Sequence, residues 1–166
     1  MRMDFGFSIP DGSVTDSKLA EDVNRNENLV RLICTANISV VQGTWVDSPQ
    51  TSQIFNYILN NNASIAQNDE VRFKHNVKAG RYTIHFRTWK GSASGICHLL
   101  DTDDTSLGTM DMFDNSGVYG WQTIADVDLT AGEHNFGLKI ATKNASASAY
   151  NIALSGIVFE RTGDCP

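Results

Sequence analysis

From about Ile38 onward, the apolar residues of this chain recur at every second position. In "VRFKHNVK", Val71, Phe73, His75 and Val77 fall on one side and Arg72, Lys74, Asn76 and Lys78 on the other. In "RYTIHFRTWK", Tyr82, Ile84 and Phe86 alternate with Thr83, His85 and Arg87. In "WQTIADVDL", Trp121, Thr123, Ala125, Val127 and Leu129 alternate with Gln122, Ile124, Asp126 and Asp128, and in "HNFGLKIA" Phe136, Leu138 and Ile140 share a face. Successive side chains of a strand point to opposite faces, so this period specifies half-buried β-strands. Turn clusters such as "AGR", "TDDTSLG" and "TAGEH" separate the runs, and further strands are expected in "ISVVQGTW", "QIFNYILNN", "GICHLLD", "TMDMF" and "YNIALSGIVFER". About eight strands, rarely interrupted by proline, predict an all-β sandwich or barrel.

The last strand poses its own question. Ile152, Leu154 and Val158 should enter the core beside Phe136, Leu138 and Ile140. That leaves Ala153, Ile157 and Phe159 on a face too apolar for water. Either a bulge near Gly156 switches which residues point inward, or a second copy of the chain covers this face. In the second case Ala153, Ile157 and Phe159 are the first candidates for a subunit interface.

Residues 1–35 read differently from the rest. Ser13 or Thr15 can cap a helix, Asp16 stands in a capping-box-like position, and Leu19 and Val23 recur at i, i+4. So short and polar a helix needs a partner for its apolar stripe. This assigns residues 1–35 to an extended or helical attachment segment, with Phe5, Phe7, Ile9, Leu19 and Val23 as its candidate contacts. Residues 36–166 form the sandwich domain.

Composition removes several function classes. The net charge is -6 and the basic residues are scattered singly, which argues against a nucleic-acid partner. No apolar run approaches ~18 residues, so no membrane insertion is expected. "MRMDFGFSIPDGS" lacks the apolar core of a secretory signal. Three cysteines, Cys34, Cys97 and Cys165, fit free thiols in a reducing cytosol better than a disulfide framework or a zinc site.

No nucleophile elbow, phosphate loop or zinc-protease helix is present, so neither catalysis nor a cofactor is expected. Asp101, Asp103 and Asp104 could offer oxygen ligands to calcium, but their spacing suits a structural turn better. His75, His85, His98 and His134 read as half-buried strand histidines. Cys97 and His98 are adjacent, hence on opposite faces, and cannot chelate one ion. Among the aromatics, Trp45, Trp89 and Trp121, with Tyr119 and Phe113, could offer stacking platforms for sugar rings, but Trp45 and Trp121 read first as core or interface residues. Tyr119, in the apparent loop "NSGVYGW", is the best candidate for an exposed ring. Tyr119 and Trp121 are accordingly the candidate ligand-binding pair.

Two stretches carry a resemblance. "DGSVTDSKLAEDV" resembles a segment at the start of many bacteriophage fibre and virion-surface proteins. Residues 68–163, with "NDEVRF", "AGRYTIHFRTWK", "GICHLLDTDDTSLGTMDMF" and "AGEHNFGLKIATKNASASAYNIALSGIVFERT", resemble a jelly-roll domain of phage structural proteins. The same outline is similar to family 6 carbohydrate-binding modules, although no pair of aromatic platforms stands out in the loops. The resemblance implies a jelly-roll sandwich in a homotrimer on the virion surface, assembled in the host cytoplasm. Its partner would be the major capsid or a tail protein. At 166 residues there is no room for a long shaft, which favours a capsid decoration (cement) protein or a short head fibre. The alternative is a tail-fibre module that binds a receptor glycan on the host surface. A hydrolase on the same scaffold has no visible acid pair to support it.

Overall fold

The computed structural model describes residues 29–31, 38–49, 57–61 and 64–164. The expected helix, the attachment residues Phe5, Phe7, Ile9, Leu19 and Val23, and Cys34 and Cys165 lie outside them. The described residues form eleven strands. These are β1 (Leu29–Arg31), β2 (Ile38–Gln42), β3 (Val46–Pro49), β4 (Tyr57–Asn60), β5 (Glu70–Val77) and β6 (Gly80–Lys90). Then follow β7 (Gly95–Leu100), β8 (Ser106–Asp111), β9 (Val118–Leu129), β10 (Gly132–Lys143) and β11 (Ala153–Gly163). One antiparallel sheet runs β3-β4-β11-β6-β9, with β1 also paired to β11, and the other runs β2-β5-β10-β7-β8. The two make a jelly-roll sandwich.

The alternation predicted this core well. Val71, Phe73, Val77, Tyr82, Ile84, Phe86, Phe136, Leu138 and Ile140 are all buried between the sheets. Phe136 sits 5.5 Å from Phe73 and 5.1 Å from Phe159, ring centre to ring centre. Cys97 is fully buried as a free thiol, and burial pushes its pKa up to about 12, which leaves it unreactive. Strands β1 and β3 escaped the sequence reading because three and four residues are too few to display a period. Pro49 closes β3 at the sheet edge, where a missing N–H costs no ladder bond. Strand β8 begins at Ser106, inside the expected turn, and β1 lies before the expected boundary at residue 35.

Two bulges change which residues face the core. In β11 the register slips between Leu154 and Gly156. Ile152, Leu154, Ile157 and Phe159 therefore enter the core, and Val158 turns to the opposite face. This corrects the interface expectation: Ile157 and Phe159 are fully buried by their own chain, and Ala153 is 8% exposed. In β9 the slip falls where Val127 and Ile124 pair with Tyr82 and Ile84, and Asp126 takes a φ of 57°. Ile124 joins Val127 and Leu129 in the core, while Trp121 and Thr123 turn outward, against the predicted phase.

One carboxylate ties the loops at one end of the sandwich. Asp69 is 1% exposed and accepts hydrogen bonds from Asn61 Nδ2 at 2.9 Å, Ser64 Oγ at 2.6 Å and the Ala66 amide at 3.1 Å. The Asn61 side-chain oxygen in turn accepts from the Ile152 amide at 2.8 Å, just ahead of β11. Gly43 passes so close, with φ +85°, that a Cβ there would lie 2.3 Å from Asp69 Oδ1.

Candidate functional site

The bulge in β9 assembles a site on the outer face of β6 and β9. Across these strands Trp89 pairs with Tyr119, Arg87 with Trp121 and His85 with Thr123. Residues paired in register lie on the same side of a sheet, so three aromatic rings and a guanidinium share one surface. Their neighbours on β11 are Gly156, opposite Arg87, and Val158, opposite His85. Gly156 puts no side chain beside the guanidinium.

Each ring is held in place. Trp89 lies against two glycines: a Cβ at Gly91 would come 2.8 Å from its Nε1, and one at Gly117 (φ +69°) 2.8 Å from its Cζ2. Tyr119 meets Trp89 edge-on, with centroids 4.6 Å apart at 61°. The Arg87 guanidinium carbon lies 5.9 Å from the ring centres of both Tyr119 and Trp121. Burial lowers the Arg87 pKa, opposed by its interaction with Tyr119. Burial raises the Tyr119 pKa, with Arg87 acting against it. Beyond Arg87 the face continues into a polar patch, where His85 Nε2 is 3.0 Å from Glu160 Oε2 and His85 Nδ1 is 3.3 Å from Thr123 Oγ1.

The predicted ligand pair, Tyr119 and Trp121, is thus brought together, but on a strand. Tyr119 is half-buried within β9, and Trp121 is half-buried on the outer face instead of in the core. Trp45 is a core residue as expected, and its Nε1 donates to the Gln42 carbonyl at 3.0 Å. Phe113 bridges to Gly91 outside the row. Sequence reasoning had Trp89 among the possible stacking rings but not in the preferred pair, and missed Arg87 as a site residue, although "HFRTWK" carries the signal: His85, Arg87 and Trp89 continue the outward-facing set.

At the other end of the sandwich, a cleft of about 250 Å³ lies between the 101–103 and 130–134 segments. Its polar groups are committed to one another. Asp101 Oδ1 is 2.7 Å from His134 Nδ1 and accepts from the Thr102 amide, Asp103 accepts from the Thr105 amide, and Asp104 pairs with Arg72. The loop carries the hydrogen bonds of a structural turn, and no cluster of three metal-binding side chains occurs among the described residues.

His134 is a latch in that turn. Its Nε2 lies 3.0 Å from the Thr130 carbonyl, so both ring nitrogens face acceptors, an arrangement that favours the doubly protonated ring. Burial opposes the charge, but the Asp101 and Thr130 contacts outweigh it and the His134 pKa is raised. Its register neighbour His75 has a buried Nε2 without a partner. Burial, then the charge of His134, lowers the His75 pKa. The contribution of His134 is complete below the unfolded value of about 6.5 and lost as pH rises through its higher folded pKa. That of His75 is present above about 6.5 and lost as pH falls through its lower folded pKa. Thermal unfolding across pH should show His134→Gln flattening the alkaline decline and His75→Phe flattening part of the acid decline. Unchanged limbs would contradict this assignment.

No protein-family model and no curated protein matches the chain. Solved structures do match. A xanthan lyase from Paenibacillus superposes with a TM-score of 0.67 at 28% identity, over 80% of this chain and 13% of the lyase chain. A β-1,3-glucan-binding family 6 module from Bacillus halodurans superposes with a TM-score of 0.59 at 16% identity, over 79% of this chain and 95% of the module. A family 35 module from an environmental isolate gives 0.58 at 19% identity, over 83% and 98%. The fold is the jelly roll of carbohydrate-binding modules. The two modules are too distant in sequence to show more than that, and this chain spans only a small part of the lyase.

Proposed function

We propose that this domain binds carbohydrate on the outer face of β6 and β9. Trp89, Tyr119 and Trp121 would be the stacking surfaces and Arg87 the central donor. The carrying observation is the row itself: half-buried aromatic rings around one cation, on the face of the sheet turned away from the core. A pyranose has an apolar C–H face that stacks on such rings, and hydroxyls that accept from a guanidinium. The fold shared with carbohydrate-binding modules supports the same reading. The chemistry is recognition without turnover.

The test is affinity electrophoresis of the full chain against a panel of soluble polysaccharides. Trp121→Ala should weaken the strongest interaction by about tenfold or more, a change of ~1.4 kcal/mol per factor of ten. Its unfolding midpoint should stay near that of the parent, because Trp121 lies outside the core cluster. Undiminished binding by a folded Trp121→Ala would overturn the assignment.

The virion-surface reading is a second proposal, supported by the sequence pattern at residues 11–23. In that reading a homotrimer attaches through residues 1–35 to a capsid or tail protein and displays the sandwich outward. Light scattering should then give three copies per particle, and a strictly monomeric mass would contradict it.

A further inference from the structure

We infer that Arg87 makes this surface selective for saccharides carrying a carboxylate, such as hexuronic acid units, an inference that rests on the carbohydrate-binding reading above. The argument begins with a contrast among the arginines whose side chains are described. Arg72 pairs with Glu70 and Asp104, Arg81 with Asp128, and Arg161 with Asp164. Arg87 pairs with none of the acidic side chains described. Its Nε is buried and has no hydrogen-bond partner, which is an unfavourable state for a guanidinium donor.

Nε is sealed from solvent, so the terminal nitrogens are the ones a ligand can reach, and the surroundings show what they would meet. Tyr119 and Trp121 flank the guanidinium, Gly156 leaves its β11 side without a side chain, and the nearby carboxylate of Glu160 is engaged by His85. A planar fork of N–H donors matches a carboxylate with two parallel hydrogen bonds, a geometry that a hydroxyl cannot reproduce. Burial has already removed part of the hydration of the cation, so an arriving anion meets less competition from water. The rings on either side then hold the sugar that carries the anion. Neutral pyranoses would use the rings and leave the fork half satisfied.

The experiment compares polygalacturonate with the same polymer after reduction of its carboxyls to hydroxymethyl groups. Calorimetry is done on the full chain and on Arg87→Gln. The parent should prefer the acidic polymer by about tenfold or more, with a preference that shrinks as salt is added. Arg87→Gln should lose this preference and bind the two polymers alike, while Trp121→Ala should weaken both. Should the glutamine variant not fold, Arg87→Lys decides: it keeps the charge but not the fork, and should retain only part of the preference. Equal affinity of the parent for both polymers, or a preference that survives in Arg87→Gln, would overturn this inference and leave carbohydrate binding standing. Failure of the parent to bind either of them, while binding another neutral glycan, would also overturn the inference alone. Failure across the whole panel would overturn both.

Discussion

Phe159→Ala is expected to destabilise the isolated domain by about 4 kcal/mol, the range for truncating a large, fully packed aromatic side chain. The ring is fully buried, with its centre 5.1 Å from Phe136, 4.7 Å from His75 and 6.4 Å from Tyr82. Those neighbours lie on β10, β5 and β6, so a cavity here loosens both sheets at once. Urea unfolding followed at two protein concentrations gives the result directly. The account predicts a large drop in midpoint that is the same at both concentrations. A small drop, or one that grows on dilution, would mean that Phe159 faces another copy of the chain.

The second large effect concerns the loop end. Asp69→Ala removes the common acceptor of Asn61 Nδ2, Ser64 Oγ and the Ala66 amide. Each donor left without a partner costs on the order of 1 kcal/mol or more, so a loss of about 3 kcal/mol is expected. Asp69→Asn should recover much of it, since all three donors reach one carboxylate oxygen, Oδ2, whose place the amide oxygen can take. The measurement is again urea unfolding, and a loss below about 1 kcal/mol would show that water replaces the carboxylate there.

The reach of the sequence can be judged from particular strands. Strands β5 and β6 keep an unbroken period of two, β10 keeps it as far as Ile140, and their buried residues were legible from it. Strands β9 and β11 each carry a bulge, which adds one residue and reverses the phase beyond it. At β11 the surplus of apolar residues on both sides gave the warning, and the bulge near Gly156 was one of two readings it allowed. At β9 there was less to see. Asp126 adopts a left-handed conformation that Asp tolerates better than most residues, but nothing in "TIADVDL" demands one. That single reversal moved Trp121 from the expected core to the outer face and so hid the site. Arg87 was readable as outward-facing but not as unpaired, because lack of a partner is a property of the folded surroundings and not of spacing.

The reversal also orders the functional argument. With β9 in unbroken phase, Trp121 would lie on the side of Val127 and Leu129 and no row of rings would exist. With the bulge, Trp121 and Tyr119 stand across from Arg87 and Trp89. The recognition surface is therefore a consequence of one extra residue in one strand.

The chain has three tryptophans, and their indole N–H groups report on the surface one by one. The most direct measurement is a nitrogen–proton correlation spectrum recorded during titration with an oligosaccharide of the strongest-binding polymer. The account predicts saturating shifts of the Trp89 and Trp121 indole signals. Trp45, buried and bonded to the Gln42 carbonyl, should stay in place. Saturation that moves Trp45 and leaves Trp89 and Trp121 unmoved would place the ligand elsewhere and contradict the account.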